Sequence, residues 1–387
     1  MTLLARDEAD IVGANLDYHF AQGVDFVIAT DHSSRDGTTE LLRAYERDGV
    51  LLLREVGGEA HDQVAHVNAM ARTAAVDHGA DWVINNDADE FWWPLIGSLR
   101  DVLSGVPDEF GALEAPRFNF RPRVGGPEAF LERMVVRETA SMNGVGDPLE
   151  PKVIHRGTPD IAMGPGNHSI DFPDVAVAPD IGLLEVLHFP MRAFEQFERK
   201  VLNVGIGYER LESRQPEVGR DQLALLQLQR EGRLRAHFDD AVVDDSGLDA
   251  ELAGGRLVID TRLRDYMAAL GSVGAGGDQA PDAAGARKVV SRALAIAAEL
   301  DGVRAEIERR SEELARAAAE RDAAREDLAR LNEELGAAVA GHGRAERQLA
   351  STDAALRALQ TSRLIRYSQP LRRLYYRLRA KRRRSLS

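Results

Sequence analysis

Three acidic side chains stand directly after an apolar run in VINNDADEFWWP, residues 83–94. They are Asp87, Asp89 and Glu90, and three aromatic residues follow them. If this stretch is a strand, Asp87 and Asp89 point to the same face, because side chains alternate along a strand. Two carboxylates on one side suit a hard divalent cation such as Mg²⁺ or Mn²⁺. The alternative is a solvated acidic turn, which explains the apolar and aromatic flanks poorly.

A second polar stretch follows an apolar run in VIATDHSSRDGTTE, residues 27–40. Asp31 comes just after the predicted strand, where a carboxylate can accept a hydrogen bond from a nucleobase N–H or a ribose hydroxyl. Asp36 precedes a Gly and a predicted helix, so it can equally cap that helix. Taken alone, this stretch favours the cap and the turn.

The elements that position these acids alternate in type over the first 90 residues. The hydrophobic pattern predicts strands at 1–5, 24–30, 50–56 and 81–86, and helices at 10–21, 38–48 and 62–79. Such alternation predicts a parallel sheet with helices on both faces, and ligands bind beyond the carboxyl ends of its strands. Residues 110–266 are less regular and are interpreted as a mixed extension of the same domain.

Three motifs in order resemble the family 2 glycosyltransferases of the GT-A type. They are TLLARDEADIV, GVDFVIATDHSSRDGT and DWVINNDADEFW, and the last resembles the bacterial branch with an Asp-x-Asp-Glu-Phe motif. The resemblance covers about residues 1–270. It implies an α/β fold: a GT-A (Rossmann-like) nucleotide-sugar-binding domain with a mixed central sheet. It also implies metal-dependent, inverting transfer of a sugar from a nucleotide-sugar to a glycan or lipid-linked acceptor in cell-envelope polysaccharide synthesis.

The same resemblance assigns roles to individual residues. The donor-binding residues it implies are Glu8, Asp31, Asp36, Asp87, Arg192 and Lys200. The ligands it implies for Mn²⁺ or Mg²⁺ are Asp89, Asp87 and His188. Residues expected at the sugar or acceptor are Glu90, Trp92 and His168. The catalytic base is expected after the metal motif, where Glu132, Asp147 and Glu150 are alternatives by region only. The chain departs from the family at Asp7, where an Asn commonly precedes the Glu.

Absent features exclude other classes. The chain has no cysteine, which excludes disulfides, thiolate metal sites and cysteine nucleophiles. It lacks a Gly-x-Gly-x-x-Gly after the first strand and a Walker-type loop, which argues against dinucleotide-dependent dehydrogenases and P-loop enzymes. Two alternatives remain: a sugar nucleotidyltransferase, which also needs paired acids and a metal, and a non-catalytic coiled-coil scaffold that binds glycan or nucleotide.

The last third of the chain has a different composition. Residues 271–290 begin with a Gly- and Ala-rich stretch and are predicted to be a flexible linker. Within residues 291–360, most of the positions spaced seven apart from Leu300 to Leu356 hold Leu or Ile. This spacing predicts a coiled coil that forms homo-oligomers. The alternatives are a single charged helix and a helix that folds back on its own domain.

The C-terminal tail, residues 361–387, is basic although the chain as a whole carries a formal charge of −14. It interleaves arginines with Leu and Tyr, and Leu371, Leu374 and Tyr375 fall on one helical face. This pattern favours binding to an anionic membrane surface, with nucleic-acid binding or a disordered tail as alternatives. Charged residues near the N-terminus do not resemble a signal peptide. We therefore expect a bacterial protein in the cytoplasm, peripheral on the inner face of the plasma membrane.

Overall fold

The structure is a computed structural model. It describes residues 1–58, 62–123, 129–143, 146–171, 176–211, 218–272 and 283–384. By their contacts these residues form two compact units, Met1–Asp301 and Gly302–Ser387, which are treated separately below.

Strands and helices alternate at the start of the first unit, as the sequence predicts. Its strands are β1 (Thr2–Ala5), β2 (Val27–His32), β3 (Leu51–Val56), β4 (Trp82–Asp87), β5 (Glu90–Pro94), β6 (Phe110–Ala115), β7 (Arg117–Arg121), β8 (Val136–Glu138), β9 (Lys152–Arg156), β10 (Ala162–Met163), β11 (Ile170–Asp171), β12 (Ala176–Val177), β13 (Leu184–His188) and β14 (Leu257–Ile259). Its helices are α1 (Val12–Ala21), α2 (Thr38–Arg47), α3 (Gln63–Val76), α4 (Leu99–Gly105), α5 (Phe130–Arg133), α6 (Phe194–Glu209), α7 (Arg220–Arg230), α8 (Leu234–Ala241), α9 (Asp245–Ala253) and α10 (Arg262–Ser272). The two C-terminal helices are α11 (Ala283–Thr361) and α12 (Arg363–Arg384).

The main sheet is mixed, which confirms the predicted α/β class. Its strand order is β12-β6-β9-β4-β1-β2-β3. Strands β4, β1, β2 and β3 pair in parallel, whereas β9 pairs antiparallel with both β4 and β6. The parallel half therefore collects the carboxyl ends of β1, β2 and β4 at one edge.

A second sheet of order β14-β8-β7-β13-β5 starts from the strand after the acidic motif. Strand β5 pairs antiparallel with β13, so that Glu90 lies opposite His188. Strand β13 pairs in parallel with β7, which places Asn119 opposite the same histidine. This register brings a residue that lies about a hundred positions downstream to the acidic motif.

The aromatic residues after the acids belong to the hydrophobic core. Phe91 and Trp92 are fully buried. The Trp92 indole N–H donates to Asn86 Oδ1 over 3.1 Å, and its carbonyl accepts from the Tyr18 hydroxyl over 2.9 Å. The prediction that Trp92 contacts the sugar or acceptor is therefore wrong, because its side chain is fully buried in the core.

The predicted linker is shorter than residues 271–290. Residues 283–290 form the first turns of α11, and Val290 and Leu294 are fully buried in the core of the first unit. Gly105 permits this packing, because a Cβ there would lie 2.8 Å from the Arg287 carbonyl oxygen. Residues 273–282 lie outside the described part of the chain.

Helix α11 agrees with the predicted long helical segment, and α12 lies in the predicted basic tail. The coiled coil itself remains a prediction. Within the described residues, no helix is long and apolar enough to cross a membrane.

Candidate functional site

A cavity of about 1020 Å³ opens at the carboxyl ends of the parallel strands. Four residues at these strand ends line the cavity. Arg6 follows β1, His32 ends β2, Asp87 ends β4, and Asp89 lies two residues after it. Residues of β7, β9, β13 and α6 line its other walls. This is the edge at which open α/β sheets bind their ligands, and the volume suits a ligand of nucleotide-sugar size.

Contrary to the prediction from the sequence, Asp87 and Asp89 do not lie on the same strand. Asp87 is the last residue of β4, but Asp89 lies in the two-residue turn before β5. The argument from strand alternation is therefore wrong for Asp89. Both nevertheless line the cavity, because the turn is short and Phe189 N–H donates to the Asp89 carbonyl oxygen over 2.9 Å.

Asp89 is the centre of a cluster of cationic groups. Its carboxylate accepts a hydrogen bond from Lys200 Nζ, and His188 Nε2 and Arg192 Nη1 lie 3.6 and 4.0 Å from its Oδ2. Burial alone would raise the pKa of Asp89, but Lys200 and His188 hold it well below the ordinary value. Burial lowers the pKa of His188, although Asp89 opposes this shift. The cluster is therefore an ionised carboxylate beside an imidazole and an ammonium group.

Asp87 belongs to a second buried network that the sequence analysis missed. Lys152 Nζ lies 2.5 Å from Asp87 Oδ2 and 3.1 Å from Glu90 Oε1, and Arg117 Nη1 lies 3.1 Å from the same Glu90 oxygen. Burial raises the pKa of Asp87, but the charge and hydrogen bond of Lys152 outweigh it and lower the pKa. Glu90 is fully buried. Its predicted contact with a sugar or acceptor is replaced by a contact with these two cations.

Asp89 and His188, two of the predicted metal ligands, lie beside each other. The His188 Nδ1 lies 2.8 Å from Asn119 Oδ1, an oxygen that can accept from Nδ1–H, and Nε2 lies on the side of Asp89. A second ring nitrogen held by such a hydrogen bond is typical of metal-bound histidines. The described residues contain no group of three or more metal-binding side chains. Asp89 is hydrogen-bonded to Lys200 and Asp87 to Lys152. A cation bound by these carboxylates and His188 would take its other ligands from water and substrate phosphates, and this site remains a prediction.

Arg192 lies behind the cavity wall and is only 1% exposed. Its guanidinium donates to Glu8, to Asp10 Oδ2 over 2.7 Å and to the Phe189 carbonyl oxygen over 3.0 Å. It therefore ties the segment before α6 to the segment after β1. The predicted contact of Arg192 with a diphosphate is a misassignment, because its donors are used by these partners. Lys200, by contrast, lines the cavity, and its side chain is 28% exposed.

Glu8 lines the cavity but is nearly buried. Its Oε1 lies 3.7 Å from Lys200 Nζ. Burial raises the pKa of Glu8, and the charges of Arg192 and Lys200 oppose that shift. Asp7, the departure from the family pattern, has a positive φ of 57° and accepts from Arg35 N–H and from the Asn203 amide. Asp7 thus shapes the loop after β1.

Asp31 and Asp36 stabilise the turn between β2 and α2. Asp31 lies within β2, is buried, and accepts hydrogen bonds from the hydroxyls of Ser34 and Thr39. Asp36 accepts from the Thr38 hydroxyl over 2.6 Å and from Ala9 N–H over 3.1 Å. Burial raises the pKa of Asp36, but these hydrogen bonds lower it below its ordinary value. The turn alternative therefore describes both residues, although Gly37 is the N-cap of α2 and no side chain caps that helix. His32 is the β2 residue that lines the cavity.

His168, which was predicted at the sugar or acceptor, follows the short turn Pro165–Asn167 and lines the cavity. Its Nδ1 lies 2.9 Å from the Pro151 carbonyl oxygen. Burial, with the nearby charges of Lys152 and Arg117, lowers the pKa of His168 to about 3. Gly166 has a positive φ of 67°, and a Cβ there would lie 2.5 Å from the His168 ring. A neutral imidazole is therefore held at the cavity wall, where a sugar contact remains a prediction.

The three candidates for the catalytic base differ in their position relative to the cavity and in their partners. Glu150 is exposed and lines the cavity. Asp147 also lines it, but its carboxylate is 2.8 Å from Arg220 Nη2 in an exposed ion pair. Glu132 is exposed on α5, away from the cavity lining. The prediction of Glu132 as a base is therefore wrong on position.

Part of the chain matches a known family. Residues 5–122, under a third of the 387 residues, match the model of glycosyltransferase family 92. The matched segment runs from β1 through β7 and includes the acidic motif. The resemblance to glycosyltransferases is thus supported for this segment. Membership of family 2 and of the GT-A type remain predictions.

Solved structures add only a weak likeness. S. aureus TarS 1-349 is 14% identical, covers 75% of this chain and 89% of its own, and has a TM-score of 0.33. Its complex with UDP-GlcNAc is 14% identical with the same coverage and a TM-score of 0.32. Its complex with UDP is 15% identical, covers 70% and 89%, and has a TM-score of 0.32. Scores this low carry no argument about this chain. No curated protein matches it significantly.

Proposed function

We propose that this chain is a glycosyltransferase that moves a sugar from a nucleotide-sugar to a glycan or lipid-linked acceptor in cell-envelope polysaccharide synthesis. The observation that carries the proposal is the cavity edge at β1, β2 and β4, where Asp89 and Lys200 face the same space. Acidic and basic side chains gathered at this edge suit a metal-bound diphosphate better than a neutral ligand. The matched glycosyltransferase segment contains this edge of the sheet.

The leaving diphosphate needs its developing charge neutralised. Lys200 is partly exposed at the cavity and can turn from Asp89 to a phosphate oxygen, where a charge-assisted hydrogen bond is strong. A Mn²⁺ or Mg²⁺ ion held by Asp89 and His188 would supply further positive charge to the diphosphate. Lys152 keeps Asp87 ionised at the cavity floor. The protein thus supplies positioned charges at the leaving-group side.

The acceptor hydroxyl needs a base on the opposite side of the sugar. Glu150 is the exposed carboxylate on the cavity wall that lies outside the Asp147–Arg220 ion pair. In our proposal Glu150 takes the hydroxyl proton as the acceptor oxygen attacks the anomeric carbon, and the diphosphate leaves from the other face. This in-line displacement inverts the anomeric configuration.

The test is turnover of UDP-, GDP- and dTDP-sugars with Mn²⁺, measured as release of the nucleoside diphosphate. We expect one donor class to turn over in the wild type, and Glu150→Gln to slow turnover roughly 100-fold, the lower end of general-base effects. Glu109→Gln, an exposed glutamate away from the cavity, is the matched control and should keep wild-type turnover.

Folded protein that releases no diphosphate from any donor would favour the scaffold alternative. Wild-type turnover in Glu150→Gln would remove the base assignment. NMR coupling constants of the new glycosidic bond test inversion, and a retained configuration would contradict it.

We also propose that α12 lies on an anionic membrane surface. Leu371, Leu374 and Tyr375 are 68%, 55% and 58% exposed, among arginines on the same helix. An exposed apolar face bordered by arginines suits the interface of an anionic bilayer, where each basic residue adds about 1 kcal/mol. The face and its charge support a peripheral membrane protein.

The membrane proposal predicts that the full chain co-sediments with phosphatidylglycerol-containing vesicles and not with pure phosphatidylcholine vesicles. Removing residues 362–387 should abolish co-sedimentation. Leu371→Ser with Leu374→Ser should weaken it while the charge stays constant, which separates insertion from simple attraction. Undiminished binding after the truncation would rule out α12 as the membrane contact.

A further inference from the structure

An apolar stripe runs along the exposed part of α11. Seven of the nine positions at seven-residue steps from 300 to 356 hold Leu or Ile, and these side chains are 53–74% exposed. In heptad notation these are a positions, and Val303, Leu331 and Leu359 occupy d positions at 55–58% exposure. Residues 302–361 of a helix span about 90 Å. An apolar stripe of this length with heptad spacing needs a partner helix with the same spacing.

The charges beside the stripe distinguish between possible partners. Every g position from Glu299 to Glu334 is acidic, whereas the e positions from Arg304 to Val339 hold Arg, Ser, Ala, Arg, Asn and Val. In an antiparallel pair of identical helices g positions face g positions, so like charges would oppose one another. In a parallel pair each g faces the e position five residues on in the partner helix. Glu320 then meets the partner's Arg325, and no acid faces an acid in this region.

We propose that α11 pairs with α11 of a second copy of this chain as a parallel, in-register, two-stranded coiled coil. Arg321 interrupts the a positions and Arg310 the d positions, and a polar residue within such a seam specifies register and strand number at a cost in stability. The Arg321 side chain already pairs with Asp322 in the single helix, an exposed contact that is weak and easily exchanged. This pairing does not depend on the glycosyltransferase proposal.

Single cysteines provide a clean test because the chain has none. Leu314→Cys and Leu349→Cys are separate variants at two distant a positions. A parallel in-register pair brings each cysteine to its own counterpart, so both variants should form disulfide-linked dimers under mild oxidation. An antiparallel pair can bring at most one of these positions to its counterpart. Glu312→Cys and Arg347→Cys are the matched controls at outward f positions and should stay largely unlinked.

Light scattering on the full chain gives the number of strands. We expect twice the mass of the chain for the wild type. Leu328→Asp with Leu335→Asp should halve that mass, whereas Ala319→Asp with Ala340→Asp, which adds the same charge at f positions, should leave it unchanged.

Four results would overturn the proposal. These are a monomeric wild type at all concentrations up to about 100 µM, a mass of three or more chains, linkage at only one of the two a positions, or equal linkage at the f controls. Linkage at both a positions in a species of twice the chain mass would establish the parallel pair.

Discussion

The Asp89→Asn variant is expected to lose at least about 100-fold in kcat/KM for the nucleotide-sugar. Asp89 is the buried carboxylate that the Lys200 ammonium and the His188 imidazole share. An amide neither balances the Lys200 charge nor binds a divalent cation strongly. Lys200 and His188 therefore lose the carboxylate that positions them both. Removing one positioned group for a developing charge typically costs 100-fold to 1000-fold in rate.

Release of the nucleoside diphosphate measures this loss. Asp108→Asn, an exposed aspartate away from the cavity, is the control and should behave as the wild type. Thermal unfolding of both variants shows whether the fold is retained. A folded Asp89→Asn variant with wild-type, metal-dependent turnover would show that the site assignment is wrong.

The Arg192→Met variant is expected to lower the free energy of unfolding by about 3–5 kcal/mol. Arg192 is 1% exposed and donates to Glu8, Asp10 and a backbone carbonyl. Methionine fills a similar volume but leaves Glu8 buried with only Lys200 as a cationic neighbour, 3.7 Å away. Breaking a buried ion pair by removing one partner costs this much, because an uncompensated charge remains.

Urea-induced unfolding measures this loss, and Arg199→Met on α6, the helix that begins just after Arg192, is the matched control. Arg199 is 43% exposed and 4.0 Å from Asp36, so its removal should cost no more than about 1 kcal/mol. If Arg192→Met instead kept wild-type stability and weakened nucleoside diphosphate binding, Arg192 would be a substrate contact after all.

The first half of the sheet could be predicted because local patterns determine it. Apolar runs between polar turns predict β1 to β4 and helices α1 to α3 within a few residues of their observed bounds. The carboxyl edge followed from strand order alone, so Asp87 and Asp89 were placed at the correct edge. The turn that carries Asp89 could not be predicted. A two-residue turn between two strands does not change the sequence enough to be distinguished from one continuous strand.

Side chains that act across long sequence distances were predicted less well. Lys152 lies 65 positions from Asp87, and nothing local indicates that the two meet. The signal that was available is a lysine at the start of the apolar strand KVIHR, where a buried charge needs a partner. Arg192 was placed at the diphosphate because its charge is visible in the sequence, while its acidic partners lie some 180 positions away. Trp92 was misassigned because a core aromatic and a sugar-stacking aromatic look alike in a sequence.

Binding of UDP, GDP and dTDP, with and without Mn²⁺, to wild type and Lys200→Met tests the central claim most directly. Calorimetry on the folded full chain gives each affinity. We predict that one nucleoside diphosphate binds and that Mn²⁺ strengthens its binding. Lys200→Met should weaken this binding about tenfold or more, because a charge-assisted hydrogen bond contributes roughly 1.5–3 kcal/mol. Absence of binding by all three nucleotides, or equal binding by Lys200→Met, would contradict the assignment of this cavity to a nucleotide-sugar.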